Sequence, residues 1–292
     1  MKTIISASRR TDIPAFYLDW FIRVIRAGKV QVRNPLYKEH HYEVNLRPGQ
    51  VEWIVFWSRN YQRFLKQRVV FGDYNLFFHF TILSHQRQLE RSHLPLTRAL
   101  NQVEKLAAYY NPQRIIWRYD PVVIWQGSSG INSNYSPVEF ENLCRRISAL
   151  DIRRCYFSFV TPYRKFLRRF RQRYPDQHHV GYETAAAQRI LAGLKETAAK
   201  YKVGLYSCCN DHLVDSAIKK GHCISGELLN SLNGKAPVSM AKAPTRKDCG
   251  CTKSIDIGDY LQQPCFTGCM YCYANPTVNR DKGTERQRDR GK

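Results

Sequence analysis

The sequence predicts an α/β fold in which parallel strands alternate with helices: a (β/α) barrel of seven or eight strands, TIM-like, complete or partial. Three observations carry this reading. Apolar, β-branched and aromatic runs such as VEWIVFW are near-continuous, as strands buried on both faces require. These runs alternate with helix-length stretches, the pattern of βαβ units joined by right-handed crossovers. The length of 292 residues fits one barrel of about 250 residues with a small appendage. A doubly wound open sheet is the alternative.

Taken in order, Thr3–Ala7 opens as a strand and runs through SASRRTD into a helix at Pro14–Ala27. Lys29–Arg33 is the second strand and Val51–Trp57 the third, followed by a helix at Tyr61–Val69. Asn75–Leu83 is the fourth, with His79 facing the interior and the helix Pro95–Tyr110 behind it. Arg114–Tyr119 and the helix Ser136–Ala149 follow, then Cys155–Val160 and the helix Gly181–Lys200. Lys202–Ser207 is the seventh strand and Asp211–Lys220 the last helix. Asn233–Asp248 reads as a connection. The expected organisation is a barrel over residues 1–245, a cysteine-rich segment over 246–275 that completes its mouth, and a basic disordered tail over 276–292.

In parallel α/β folds ligands sit at the C-terminal strand ends. There the candidate strands switch from apolar to polar residues. The first offers Ser6, Ser8, Arg9, Arg10 and Asp12; the second Arg33 and Asn34; the third Ser58, Arg59 and Asn60; the fourth Thr81. The fifth offers Arg118 and Asp120, the sixth Thr161, and the seventh Ser207 to Asn210. Singly, such residues cap helices, as Asp12 before Pro14 would, or pair with one another, as Arg118 and Asp120 would. Together they describe a polar pocket. Arginines in a pocket suit phosphate or carboxylate groups, which guanidinium binds bidentately. Arg9, Arg10, Asp12, Arg118 and Asp120 are the catalytic candidates, and Ser207, Asn210 and Tyr271 the cofactor-binding ones.

The sharpest local signal is CFTGCMYC, Cys265 to Cys272. Its Cys-x3-Cys-x2-Cys spacing lets Cys265, Cys269 and Cys272 hold three irons of a 4Fe–4S cluster, leaving the fourth open to a small ligand such as S-adenosylmethionine. Zinc is the rival reading, although it favours Cys-x2-Cys pairs and four ligands. Cys208, Cys209, Cys223, Cys249 and Cys251 are candidates for a second cluster or a zinc, with His212 and His222 as minor ligands nearby. Cys144, on an apolar helix face, and Cys155, in a strand, read as core. No cysteine precedes Cys144, and the chain begins without an apolar export signal, so reduced thiols in a cytoplasmic protein are expected rather than disulfides. The segment Ile224–Glu227 is a short match to the Gly-Gly-Glu stretch of radical enzymes, and more simply a turn and helix start.

SASRRTDIPAF, RNP, VFWSRN, WRYDP, YSCCN, CGCTKSIDIGDY and CFTGCMYCYAN together resemble the bacterial family called domain of unknown function 1848, from Ser6 to about Asn275. That resemblance implies a C-terminal cysteine cluster similar to the one near the N-terminus of radical S-adenosylmethionine enzymes, and so supports a cluster at Cys265, Cys269 and Cys272. In ordinary radical enzymes the cluster loop follows the first barrel strand; here it follows the last. A circular permutation reconciles the two, since a closed barrel brings its first and last strands together.

Charge sets the remaining expectations. Lys and Arg number 46 against 24 Asp and Glu, a net +22 that favours an anionic partner, nucleic acid above all. Phe159–Tyr174 interleaves basic and aromatic residues, as a strand-tracking surface does; an amphipathic helix with solvated arginines is the alternative. The expected protein is a radical S-adenosylmethionine-type enzyme on an anionic substrate, served by an electron donor such as a flavodoxin or ferredoxin. A nucleic-acid-binding protein with a structural or redox-sensing cluster, and a zinc protein, are the alternatives. No run of 18 apolar residues is present, so no membrane span is expected.

Overall fold

The computed structural model describes residues 2–34, 37, 39–84, 86–92, 94–233, 237–243 and 248–274. The tail expected over 276–292, and residues 234–236 and 244–247 of the connection expected over Asn233–Asp248, lie outside the described residues.

The main sheet grows from β1 (Thr3–Ala7), whose chain runs into the short helix α1 (Ile13–Phe16) and then α2 (Leu18–Ala27). One continuous helix was expected here; Tyr17 interrupts it. The left-handed Gly28, φ +70°, ends α2 and releases the chain into β2 (Lys29–Arg33), which turns back as β3 (His41–Asn45). β4 (Val51–Ser58), α3 (Gln62–Gln67), β5 (Asn75–Thr81) and α4 (Leu96–Tyr109) follow. β6 (Ile115–Val122) leads to a hairpin of β7 (Ile124–Gly127) and β8 (Gly130–Ser133). α5 (Pro137–Ser148) begins with the Ser136 hydroxyl accepting from the Glu139 N–H, with Pro137 at the first helical position. Then come β9 (Arg154–Phe159), α6 (Arg164–Arg173), β10 (His178–His179), α7 (Ala185–Lys200), β11 (Gly204–Ser207), β12 (Ile218–Lys220), α8 (Gly226–Asn233) and β13 (Ile255–Asp256).

Eight of these strands form one sheet in the order β12-β11-β9-β6-β5-β4-β1-β13, every pairing parallel. Side chains alternate between its two faces. Ile5, Ile54, Phe56, Phe78, Phe80, Trp117, Tyr119 and Phe157 pack outward against α2, α3, α4, α5 and α7. Ile4, Trp53, Val55, Phe77, Ile116 and Tyr156 point inward and meet Ile224, Leu229, Val238 and Cys251. Burial on both sides is why these strands read as unbroken apolar runs.

Besides that broken helix, the fold differs from the expected one in three places. Lys29–Arg33 is a strand but does not join the main sheet. It pairs antiparallel with β3, burying Val30 and Val32 on one face while Lys29 and Gln31 stay exposed. The expected helix Asp211–Lys220 is a short 3-10 turn at Asp211–Leu213 followed by β12. The Asp215 carboxylate accepts from the N–H groups of Ala217 and Ile218, both at 2.9 Å, and this side-chain turn stops the helix. Barrel closure, finally, is not found: among the described residues no ladder joins β12 to β13. Those strands have three and two residues. The edges are bridged instead beyond β12, where the Thr252 N–H donates to the Ile224 carbonyl at 2.8 Å, while Ile224, Leu229 and Val238 fill the space inside. The result is a mixed α/β fold built on a large parallel sheet of eight strands. Among the described residues no helix is long and apolar enough to cross a membrane.

Candidate functional site

The C-terminal ends of β1, β4, β5, β6, β9 and β11 surround a cavity of about 320 Å³. Arg9, Arg10, Asp12, Arg118 and Asp120 all line it. So do Cys265, Cys269, Tyr271 and Cys272 on one wall and Cys208, Cys209 and Cys223 on another. Ser207 and Asn210 are buried outside the lining, and the Ser207 hydroxyl donates to the Asn210 carbonyl at 2.9 Å. Arg33 and Asn34 lie away from the cavity because β2 left the main sheet.

Most of the charges in the lining are paired. Asp256, on β13, was not singled out from sequence, yet it organises the end of β1. Its carboxylate accepts from Ser6 Oγ at 2.6 Å, Ser8 Oγ at 2.5 Å, the Arg9 N–H at 2.8 Å and the Gly258 N–H at 3.0 Å. The guanidiniums of Arg9 and Arg10 approach it at 3.7 and 3.8 Å, so two cations share one carboxylate. Asp12 caps α1 through the Ala15 N–H and also accepts from Ser58 Oγ at 2.7 Å and the Arg59 N–H at 3.1 Å. Burial lifts its pKa to about 6 against these three donors. Arg118 forks onto Asp120, Nε at 3.1 Å.

His79, on the inward face of β5, stacks on Trp57 with ring centroids 4.8 Å apart. Its Nε2 lies 2.7 Å from the Cys223 carbonyl and therefore carries the proton, leaving Nδ1 as an acceptor toward Arg118 Nη1 at 3.5 Å. Burial, then the charge of Arg118, lowers its pKa to about 3 and keeps the ring neutral.

The cysteine loop is fastened from several sides. The Tyr17 hydroxyl donates to the Pro264 carbonyl at 2.7 Å, and Phe266 packs edge-on against Phe16. Gly268 adopts φ +70°, a left-handed turn that explains the glycine of CFTGC. The Met270 N–H donates to the Leu89 carbonyl at 2.8 Å, beside a bridge between Glu90 and Cys269. Glu90, 2% exposed, takes both guanidinium arms of Arg59 at 2.7 Å and the hydroxyl of Tyr271. Tyr271 thus spends its hydroxyl on this buried pair. From α6, Arg169 donates to the carbonyls of Met270 at 2.9 Å, of Cys272, and of Ala274 at 3.5 Å. Phe166 and Phe170 of the same helix are buried, so these two aromatics of Phe159–Tyr174 serve packing. Neither Glu90 nor Arg169 carries a sequence signal that would have found it; Asp256 lies inside the CGCTKSIDIGDY motif.

Burial pushes the Cys265 thiol up to about 11 and raises Cys269 and Cys272 as well; Cys265 also feels Cys272, and Cys269 feels both other cysteines of the triad. Their protons would leave on coordination. Among the described residues no three His, Cys, Asp or Glu side chains close on a single ion. Cys265, Cys269 and Cys272 all line one cavity, and three thiols are the donor chemistry an iron–sulfur cluster takes. Elsewhere, Cys144 and Cys155 are core residues, and Cys155 titrates well above an ordinary thiol because it is buried. Cys223 is held below the ordinary thiol range, chiefly by hydrogen bonds from Cys208 and Cys251. His212 stacks on Tyr182, and Ile224–Glu227 is the turn into α8.

The three-cysteine loop follows β13, which pairs with β1 through Ile5–Ile255 and Ser6–Asp256. Its loop therefore leaves the sheet beside the first strand although it comes last in the chain. No curated protein matches the sequence. The family model described as Domain of unknown function (DUF1848) matches residues 4–274, and the chain belongs to that family.

Proposed function

We propose that Cys265, Cys269 and Cys272 bind a 4Fe–4S cluster, and that the chain is a radical S-adenosylmethionine-type enzyme acting on an anionic substrate. The observation that carries this is the shared cavity: the three thiols open into the space lined by Arg9, Arg10, Asp12, Arg118 and Asp120. When bound and reduced, such a cluster supplies the electron that cleaves the sulfonium of S-adenosylmethionine. The chain's own residues do the rest. Arg9 and Arg10, two cations on one carboxylate, offer positive charge to an anion. Arg118 is held by Asp120 in a fixed orientation. The Arg59–Glu90–Tyr271 group and Arg169 keep the loop from shifting, as a reacting site needs.

Arg164, Lys165, Arg168, Arg171 and Arg173 are exposed on α6, the helix that holds the loop, and this favours nucleic acid as the substrate class. A flavodoxin or ferredoxin in the cytoplasm would serve as electron donor. Anaerobic reconstitution with iron and sulfide, followed by dithionite and S-adenosylmethionine, tests the reading. The expected product is 5′-deoxyadenosine. Its absence from a loaded protein that still binds RNA or DNA with steep salt dependence would leave the alternative, a nucleic-acid-binding protein with a structural cluster.

A further inference from the structure

Five other cysteines lie in contact next to the cavity. Cys208 and Cys209 follow β11, Cys223 follows β12, and Cys249 and Cys251 flank Gly250 ahead of β13. The Cys208 and Cys223 sulfurs are 3.1 Å apart. Cys208 also lies close enough to Cys209 to interact with it, as Cys223 does to Cys251 and Cys251 to Cys249. The result is a file of thiols drawn from three distant stretches of chain.

The backbone holds these stretches together. The Gly221 N–H donates to the Ser207 carbonyl at 2.7 Å, the Thr252 N–H to Ile224 at 2.8 Å and the Ala243 N–H to Cys251 at 2.8 Å. Gly250 packs so closely on the His222 ring that a Cβ there would come within 2.7 Å of Nε2. Thiols are weak hydrogen-bonding groups, so mutual contact alone gives this arrangement little, and apolar side chains would fill the same volume. Grouped thiols are instead the donor set of zinc and of iron–sulfur centres. Two cations stand by to offset thiolate charge: Arg118 Nη1 is 3.2 Å from Cys223 Sγ, and Arg9 is within electrostatic reach of Cys223 and Cys251.

We propose that Cys208, Cys223, Cys249 and Cys251 hold a second thiolate-ligated metal centre, separate from the Cys265, Cys269 and Cys272 site. These four are consecutive in the file, and Cys249-x-Cys251 supplies two ligands from one short stretch of chain. Cys209 touches the file at its cavity end. The sulfurs now lie against one another rather than around a point. Loading turns the side chains apart, and each coordinating thiol releases its proton to solvent.

The test uses the full chain with Cys265, Cys269 and Cys272 all changed to Ala, so that the first site cannot contribute. One arm is reconstituted anaerobically with iron and sulfide, the other with zinc, and metal and sulfide per chain are counted. Bound iron with sulfide identifies a cluster and bound zinc a tetrathiolate ion; either supports the proposal. Cobalt(II) titration of the same variant reads sulfur-to-cobalt charge transfer without disturbing any proposed ligand. Absence of metal in both arms, with no charge-transfer band, overturns the proposal. So does metal retained unchanged when Cys223→Ser and Cys251→Ser are added. Loss of iron from the first site alone leaves every one of these readings intact.

Discussion

Replacing Glu90 by Gln tests how the cysteine loop is held. Glu90 is 2% exposed and accepts both arms of Arg59 at 2.7 Å. Removing the charge leaves a mostly buried guanidinium, its side chain 20% exposed, without its counter-charge, which costs up to about 3–5 kcal/mol. Against a total stability of about 5–15 kcal/mol for a folded domain, that is a large share. The same change trades the carboxylate that holds the hydroxyl of Tyr271, beside Cys272, for a weaker amide acceptor, leaving Arg59 Nη2 at 2.9 Å as its charged partner, so the loop should loosen together with the sheet edge. Urea denaturation of metal-free protein under argon reads the loss as a lower midpoint with an unchanged slope. Arg59→Met closes a double-mutant cycle. With both partners gone no buried charge is orphaned, and the double variant should recover at least 2 kcal/mol, an order-of-magnitude expectation of about that size from the same penalty. Additivity within about 0.5 kcal/mol would show that the two residues do not act as a pair and refute the reasoning.

Two further outcomes follow from the same geometry. Arg169→Met removes the hydrogen bonds to the carbonyls of Met270, Cys272 and Ala274; amide exchange should accelerate over 269–274 while the protection of β4 and β5 stays unchanged, and uniform acceleration would contradict the anchoring role. His79 titrates at about 3 in the fold and near 6.5 when unfolded. A depressed pKa gives stability that is present above pH 6.5 and lost as pH falls toward 3, by up to about 1.4 kcal/mol per pH unit. Urea midpoints of the metal-free His79→Gln variant should therefore fall less than those of the wild type between pH 6.5 and 5. Asp12, lifted to about 6, works in the opposite direction below that pH, but it does so in both proteins and cancels from the comparison. Parallel pH profiles would count against a buried neutral His79.

Where burial is two-sided, the sequence carried the fold. VEWIVFWS and the apolar runs at β1, β5, β6, β9 and β11 were recognisable because helices cover one face and the interior cluster the other. KVQVR misled because its alternation, Val30 and Val32 inward with Lys29 and Gln31 outward, marks a half-exposed hairpin rather than a central strand. β12 and β13 are too short to leave a pattern, and Asp215 turned a helix-like stretch into a turn and a strand. The strand-end arginines and aspartates were legible because parallel α/β folds gather such ends. Their partners were not: Glu90 lies in a loop and Asp256 in a two-residue strand, and only folding brings Asp256 to Ser6, Ser8 and Arg9.

The proposed cluster at Cys265, Cys269 and Cys272 would leave one iron open to S-adenosylmethionine. Iron and sulfide counted on anaerobically reconstituted wild type, against the variant with all three cysteines changed to Ala, test it most directly. The difference should be about four irons and four sulfides per chain, and adding S-adenosylmethionine to the reduced wild type should change its electron paramagnetic resonance signal. An equal metal content in the two proteins, or a signal indifferent to S-adenosylmethionine, would contradict it.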